Sequence, residues 1–367
     1  MHSGKWFAPG RANLMGEHTD YNDGYVLPFA IAQGTTATAT RRDDDVLAVS
    51  SRQQGSQVTA FSLKELRPGA ADGWTAYPAA VAWALRERGF DVPGATIEID
   101  SDLPPASGLS SSHALECAVA LALTGLAGID VPRLELAKIV RTAENDFVGA
   151  PTGIMDQAAS LLGEDGHLLL LNCATLAYEQ VPFAGRMLVI NTNATHANAD
   201  GGYGQRRQEC EEAARLLGVP SLGSLTNCGV TAAMPPGPLA GRARHVCTDD
   251  ARVLRVVTLL RNPPANVYAE IGHLLTESHA SLRDDFEVSW PQADVTVEAA
   301  VAAGALGARM IGGGFGGSAL ALLDPAAPFA AAAAPVTAAI AAAYADRGWA
   351  APAFLEATPS PGAHRPS

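Results

Sequence analysis

Residues 8–22, APGRANLMGEHTDYN, hold the first group of side chains that could do chemistry. An arginine, two carboxylates, a histidine and two asparagines lie in this short stretch between apolar runs. Carboxylates accept charge-assisted hydrogen bonds, and each can bind two neighbouring hydroxyl groups of a sugar. The segment is therefore a candidate sugar site. The alternative is a solvated turn whose charges face water.

A second group, LPPASGLSSS at residues 103–112, lies between a predicted strand and a predicted helix. Three serines at a helix start are expected to cap its free N–H groups. Those amides and the helix dipole favour an anion such as phosphate, and a serine hydroxyl could also bind Mg²⁺. The alternative is an ordinary helix cap.

Acidic residues define a third group, Glu144 together with the segment GAPTGIMDQ at residues 149–157. Glu144 closes an amphipathic helical pattern, and Asp156 opens another helix after a tight turn. An acid at a helix start is most often a favourable partner of the helix dipole. Asp156 could instead be a catalytic base, held on a rigid element at the edge of a loop.

The glycine-rich segment GGGFGG at residues 312–317 formally satisfies GxGxxG. A dinucleotide site needs a helix after this motif and an acid about 20 residues further on. Here an apolar strand follows, and Asp324 comes too early. We therefore reject a dinucleotide site, and the sequence also contains no GxxxxGK[ST] motif.

Hydrophobic periodicity indicates the elements that position these groups. Ala95, Ile97 and Ile99 alternate with polar residues, as in a half-buried strand, and residues 136–143 carry a helical apolar stripe. Strands are predicted at 24–31, 36–40, 46–50, 95–99, 168–171, 187–190 and 318–323. Helices are predicted at 76–88, 110–126, 136–143, 206–217 and 326–345, and a surface loop at 234–241. The predicted division is an N-terminal α/β domain, 1–180, and a C-terminal α+β domain, 181–367.

Composition indicates an acidic enzyme. The 367 residues suit two domains, and a charged fraction of 17% is too low for a disordered chain. A net charge of −13 argues against nucleic acid as a partner. No signal peptide and no membrane span are predicted. Five cysteines without a CxxC pair predict reduced thiols in a cytoplasm, with neither a disulfide framework nor a zinc site.

Two features outside the four groups have structural interpretations. His279 is predicted to be a hydrogen-bonded structural histidine, because nothing near it has metal-ligand spacing. Arg206 and Arg207 are predicted to be solvated charges on a helix.

Taken together, the segments resemble the galactokinases, members of the kinase superfamily that also includes homoserine and mevalonate kinases. GRANLMGEHTDYNDGYVLP is similar to the galactokinase sugar signature, GLSSS to the phosphate loop of the superfamily and GGGFGGSALAL to its third motif. The resemblance covers essentially the whole chain in order. It implies an α+β, two-domain small-molecule kinase whose active site lies in the cleft between the domains.

The resemblance also implies a reaction: transfer of the γ-phosphate of ATP to the anomeric hydroxyl of galactose, with Mg²⁺ as cofactor. Arg11 and Asp156 would be catalytic, and Ser112 and Glu144 would bind Mg²⁺. The sugar residues would be Glu17, His18, Asp20, Gly153, Asp156 and Tyr203. The nucleotide residues would be Trp74, Gly108, Leu109, Ser110, Ser111 and Ser112. A monomer with no nucleic-acid or membrane partner is expected.

Two other functions remain open at this point. One is a related kinase that acts on N-acetylgalactosamine or another small alcohol. The other is a non-catalytic sensor of galactose and ATP, for which damage to Arg11, Asp156 or the serine loop would be expected. All of these residues are present, which favours an enzyme.

Several positions depart from the family pattern. The sequence begins close to Pro9, where family members usually carry a longer preceding segment. We therefore expect either that an edge element of the first domain is absent or that the start codon is misassigned. In the phosphate loop, Pro105, Ala106 and Ser107 replace a more flexible stretch, and Pro105 has no N–H to donate. Pro78 and His113 also replace more usual residues. These changes bear on ATP affinity and stability.

Overall fold

The computed structural model describes residues 2–104, 107–194 and 199–366, without the side chains of residues 199–201. Two of the unusual phosphate-loop positions, Pro105 and Ala106, lie outside the described residues. Within these ranges, no helix is long and apolar enough to cross a membrane.

The described residues form a mixed α/β fold. The strands are β1 (Ser3–Asn13), β2 (Tyr25–Val26), β3 (Pro28–Arg41), β4 (Val46–Ser51), β5 (Thr59–Ser62), β6 (Ala95–Ser101), β7 (His167–Asn172), β8 (Tyr178–Pro182), β9 (Arg186–Asn191), β10 (Gly307–Ile311), β11 (Ser318–Leu323) and β12 (Ala353–Ala357). The helices are α1 (Ala76–Glu87), α2 (Ser111–Ala127), α3 (Arg133–Thr142), α4 (Met155–Leu162), α5 (Ala199–Leu217), α6 (Pro238–Arg261), α7 (Val267–Asp284), α8 (Pro291–Ala302) and α9 (Phe329–Ala345).

Three sheets organise these elements. The first has the order β1-β3-β6-β4-β5 and is antiparallel except for the parallel pair β4–β6. A small antiparallel sheet has the order β2-β7-β8. The third, β10-β11-β9-β12, is antiparallel and uses only residues after 185. The predicted domain division near residue 180 remains a prediction.

The first sheet and helices α1 to α4 share one apolar core. Ala95, Ile97 and Ile99 of β6 are buried, while Thr96 and Glu98 are exposed, so the predicted alternation is confirmed. The predicted stripe on α3 is also buried in this core. Pro78 lies in the first turn of α1, where a backbone N–H has no partner within the helix, so this departure is accommodated.

The third sheet is covered on both faces, and one of its cores extends into the first half of the chain. Leu188 and Ile190 of β9 pack with residues of α8 and α9. Val189, which points to the opposite face, belongs to a cluster with residues of α6 and α7. That cluster also contains Leu14 and Phe29. The two halves of the chain therefore share a hydrophobic core.

Helix α6 corrects the predicted loop at residues 234–241. The helix begins at Pro238, directly after Gly237. Proline suits the first turn of a helix because its missing N–H would have no partner there. Pro and Gly therefore mark a helix start here, and the loop is shorter than predicted.

A disulfide between Cys228 and Cys247 corrects the prediction of reduced thiols only. A short 3₁₀ helix, Cys228–Ala233, packs against α6 and brings the two sulfur atoms together. Spacing could not show this, because 19 positions separate the two residues and neither belongs to a CxxC pair. The other three cysteines are free and buried.

Arg206 is buried, which corrects the prediction of a solvated charge. Its guanidinium donates to the carbonyl oxygens of Phe286 and Glu287, at 2.7 and 3.0 Å, so it anchors α5 to the segment after α7.

His279 is a hydrogen-bonded structural histidine, as predicted. Its Nδ1 accepts the Met310 N–H at 3.3 Å, and its Nε2 lies 3.2 Å from an oxygen of Asp294.

Candidate active site

Arg11 and Asp156 form a largely buried ion pair at the centre of the candidate site. Arg11 lies on β1 and Asp156 in the first turn of α4, so the fold joins positions 145 residues apart. Nε and Nη2 of Arg11 donate to the two carboxylate oxygens at 2.7 and 2.9 Å. Burial would raise the pKa of Asp156, but Arg11 and His113 outweigh it and hold the pKa below its ordinary value.

The serine loop, residues 108–112, is hydrogen-bonded to this pair. Arg11 Nη1 donates to the Gly108 carbonyl at 2.6 Å, and the Arg11 N–H donates to the Leu109 carbonyl at 3.1 Å. Ser110, the residue before α2, has a φ of 65° and makes no side-chain cap. Its hydroxyl donates to Asp156 Oδ2 at 2.7 Å, which corrects the prediction that all three serines cap the helix. A carboxylate is the stronger acceptor of that hydroxyl.

A cavity of about 180 Å³ opens beside the ion pair. Its walls come from β1 and the following loop, from the start of α4, from α5 and from the turn between β10 and β11. The lining residues are Arg11, Glu17, His18, Asp20, Thr152, Gly153, Met155, Asp156, Tyr203, Gly312 and Gly313. All the predicted sugar residues therefore line one cavity, together with the predicted catalytic arginine.

Glu17 and His18 line the cavity, and hydrogen bonds to neighbouring residues hold both side chains. Glu17 Oε1 accepts the Gly312 N–H at 2.9 Å. His18 Nδ1 lies 2.9 Å from the Tyr21 hydroxyl. Nε2 of His18 is buried without a hydrogen-bond partner among the described residues. Burial lowers the pKa of His18 to about 3, so the imidazole is neutral and can donate to or accept from a hydroxyl group.

Asp20 lies against Gly153. A Cβ atom on Gly153 would collide with the carboxylate of Asp20, so this position accepts only glycine while Asp20 stays in place. Burial, followed by the nearby charges of Asp156 and Glu17, raises the pKa of Asp20 to about 7. Tyr203 closes the same side, with its ring centroid 5.4 Å from that of His18.

A second cavity, of about 360 Å³, begins at the N-terminus of α2. Trp74, Ser111 and Ser112 line it, as do apolar side chains of β6 and α2. Two other predicted nucleotide residues, Gly108 and Leu109, hold β1 through their carbonyls, and Leu109 is buried. An apolar pocket beside the free amides of a helix start suits a nucleotide base and its phosphates.

Glu144, a predicted Mg²⁺ ligand, lies in the π-helical turn Ala143–Val148 that follows α3. Its Oε2 accepts from the Thr152 hydroxyl at 2.6 Å and from Gln157 Nε2 at 3.2 Å. Hydroxyl and carboxylate oxygens are ligands that Mg²⁺ prefers, so Ser112 and Glu144 fit as donors. His113 contacts both, with Nδ1 3.2 Å from Ser112 Oγ and Nε2 2.6 Å from Glu144 Oε2.

The segment that joins β1 to β2 is called the sugar loop below. Four buried polar side chains behind it were not predicted. The Asp249 carboxylate accepts the Gly16 N–H at 3.0 Å, and the Asp250 carboxylate accepts the Tyr25 N–H. His245 Nε2 lies 3.1 Å from the Glu17 carbonyl oxygen, and Arg309 donates to the Leu14 carbonyl at 3.0 Å. The one available signal was Arg309, a charge in the otherwise apolar strand segment GARMI before the glycine-rich turn.

Three family models match the chain. Residues 2–41 match the galactokinase galactose-binding signature. Residues 76–164 match the N-terminal domain of GHMP kinases, and residues 258–341 match the C-terminal domain of GHMP kinases.

Whole-chain comparisons agree with these matches. The chain is 45% identical to a galactokinase of Streptomyces coelicolor over 99% of this chain and 94% of the relative. It is 42% identical to a galactokinase of Mycobacterium tuberculosis over 86% of this chain and 88% of the relative. The crystal structure of Lactococcus lactis galactokinase complexed with galactose superimposes with a TM-score of 0.92 at 34% identity, covering 99% of this chain and 95% of that one. A mevalonate kinase structure, 15% identical with a TM-score of 0.67, shares the fold, covering 96% of this chain and 98% of that one. The chain belongs to the galactokinase family.

Proposed function

We propose that this protein is a galactokinase, which transfers the γ-phosphoryl group of ATP to the anomeric hydroxyl of α-D-galactose and yields galactose 1-phosphate and ADP. One observation carries the proposal. The largely buried Arg11–Asp156 pair lies on the wall of a small cavity whose other polar groups are acceptors for hydroxyls. The relative solved with galactose superimposes on 99% of this chain.

In the proposed mechanism, Glu17, His18 and Asp20 hold the ring hydroxyls, and Asp156 accepts the proton of the anomeric hydroxyl. Phosphoryl transfer has a loose transition state, so positioning and charge stabilisation matter more than a strong base. Because Arg11 helps to keep the pKa of Asp156 low, Asp156 is a weak base, which suits a proton that leaves late. Arg11 also stabilises the charge on the moving phosphoryl group.

We further propose that ATP occupies the second cavity. Trp74 would lie against the base, and the loop from Gly108 to Ser112 would hold the phosphates through backbone amides at the start of α2. Mg²⁺ held by Ser112 and Glu144 would neutralise charge on the phosphates. The rest of the chemistry belongs to the side chains around Arg11 and Asp156.

The proposal also covers the oligomeric state and the cellular location of the protein. One chain supplies the whole lining of the first cavity, and it also places Trp74, Ser111 and Ser112 around the second, which supports activity as a monomer. We place the protein in the cytoplasm, where ATP is available. Sedimentation of the purified protein with galactose and ATP tests the monomer, and cell fractionation tests the location.

An ADP-release assay across galactose, glucose, N-acetylgalactosamine and mevalonate tests the substrate. We expect galactose to give the highest kcat/KM. Calorimetric titration of galactose and of ATP, run beside the assay, separates the two other functions. A related kinase would give its highest kcat/KM with another acceptor, whereas a sensor would bind galactose and ATP without releasing ADP. Either result would overturn the proposal.

A further inference from the structure

A cluster of three buried side chains lies behind the Arg11–Asp156 pair. His113 and Glu116 lie three residues apart on one face of α2, and Glu144 faces them from the π-helical turn. One ligand atom from each lies within 4.8 Å of the others. The three residues are 6%, 0% and 3% exposed, so the cluster is closed from solvent.

Glu116 is the residue of this cluster that most strongly indicates a bound cation. Neither of its carboxylate oxygens has a hydrogen-bond partner among the residues that the structure describes, although the side chain is completely buried. A buried carboxylate without a partner is costly unless it is neutralised by a proton or by a cation. Glu144, the neighbouring acid, adds a second negative group to the same space.

His113 is oriented as a metal-ligating histidine usually is. Its Nδ1 lies 2.8 Å from the Ser110 hydroxyl, which can accept the Nδ1–H and fix the tautomer. Nε2 then faces Glu144, 2.6 Å from its Oε2, a distance at which a proton lies between the two atoms; a metal ion would replace that proton. Ser110 therefore anchors one ring nitrogen, and the other could bind a metal ion in exchange for the proton that it shares with Glu144.

We propose that His113 Nε2, Glu116 and Glu144 form a protein-held site for a divalent transition metal, which fills without nucleotide. One imidazole and two carboxylates suit cobalt, zinc or manganese, whereas Mg²⁺ prefers oxygen ligands alone and keeps several waters. The site shares Glu144 with the proposed Mg²⁺ site and rests on the proposed function only through that residue. If this site is filled, the chain has a preference for a transition metal. The Mg²⁺ that binds with the phosphates would not explain that preference.

Titration of the tag-free, nucleotide-free protein with Co²⁺, followed by visible absorption, tests this site. We expect one Co²⁺ per chain with d–d bands from a nitrogen-containing ligand set, and displacement by Zn²⁺ but not by equimolar Mg²⁺. The melting temperature should rise with Co²⁺, because a ligand of the folded state stabilises it. Absence of stoichiometric Co²⁺ binding would overturn the proposal, and it would leave the galactose assay untouched, since neither substrate is present.

Variants assign the ligands. His113→Ala and the nearly isosteric Glu116→Gln should each weaken Co²⁺ binding by about tenfold or more, the scale seen even for residues behind a metal's direct ligands. His273→Ala is the matched control, because His273 forms an exposed pair with Glu277 on α7. If Glu116→Gln binds Co²⁺ as the unchanged protein does, Glu116 is a neutral buried acid and the site is wrong. Loss of binding in His273→Ala alone would overturn it as well.

Discussion

At the scale of single residues, Asp156 is held by Arg11 and is the residue that we propose accepts the proton of the anomeric hydroxyl. Asp156→Asn keeps the shape but cannot accept the proton or stay charged beside Arg11. We expect kcat to fall by about 10²-fold or more, the usual scale for a general acid or base, while ATP binding survives. Steady-state kinetics and ATP titration measure the two effects.

The matched control for this change is Asp44→Asn. Arg42 and Asp44 form an ion pair in which Nε and Nη2 also meet the two carboxylate oxygens, but at the exposed surface. Loss of that pair should leave kcat unchanged, because exposed ion pairs contribute little. Near-normal turnover in Asp156→Asn would remove Asp156 from the mechanism.

Asp20 is the residue that we expect to distinguish galactose from glucose, which differ at the C4 hydroxyl. A site built to hydrogen-bond one hydroxyl can reject a ligand that fails to present it by about 10⁴-fold. Asp20→Ala should cut kcat/KM for galactose steeply. It should also reduce the difference in kcat/KM between galactose and glucose, because glucose then leaves no carboxylate without a hydrogen-bond partner. If the variant loses activity but keeps the ratio of kcat/KM for the two sugars, discrimination lies elsewhere in the cavity.

At the scale of elements, the turn before α4 shapes the wall of the cavity at Gly153 and Asp20, where we propose that the sugar binds. Gly153→Ala would push its Cβ into the Asp20 carboxylate, so we expect the KM for galactose to rise at least tenfold. The KM for ATP should change little. Gly204→Ala on α5 is the control, because a Cβ there meets nothing within 4 Å. Equal effects of both changes on the KM for galactose would contradict this role of the turn.

Helix α6 supports the sugar loop from behind. Asp249→Ala would leave the buried Gly16 N–H without its acceptor, a loss of about 1–3 kcal/mol of stability. We expect a lower melting temperature and a higher KM for galactose. Asp284→Ala removes an acid that is 60% exposed, and should change neither. An unchanged KM in Asp249→Ala would mean that α6 supports the fold but not the sugar loop.

The elements differ in how far the sequence predicts them. β6 and α3 have clear periodicity because each lays one face on a core, and both were predicted. Helices α7 and α8 were missed. Helix α7 buries polar side chains such as Ser278 and His279 beside its apolar ones, and this blurs the pattern. Helix α8 is rich in small residues, which give little contrast between its faces.

The site shows the same limit. The residue types around the cavity were predicted, because the recognition of hydroxyl and phosphate groups requires them. The resemblance to the galactokinases indicated which positions they occupy. The partner of each side chain was not predicted. That the Ser110 hydroxyl binds Asp156, and that Arg206 is buried, depends on contacts between distant segments, which no local pattern encodes.

At the scale of the whole molecule, the two halves of the chain are joined by more than a shared apolar core. The C-terminal segment returns to the first half, where Ser360, Ala363 and His364 make backbone hydrogen bonds with Ala30, Ser160 and Phe7. The side chains of Asp249, His245 and Arg309 hold the backbone of the sugar loop. The cavity is therefore shaped by the whole chain.

The central claim is that this cavity places the anomeric hydroxyl of galactose for attack on ATP beside Asp156. Phosphorus NMR of the product, formed from ATP and galactose by the purified chain, tests it most directly. We expect one phosphate monoester, coupled to the anomeric proton of α-galactose, to appear in equal amount with ADP. A phosphate at another hydroxyl, or ADP formed without a sugar phosphate, would contradict it.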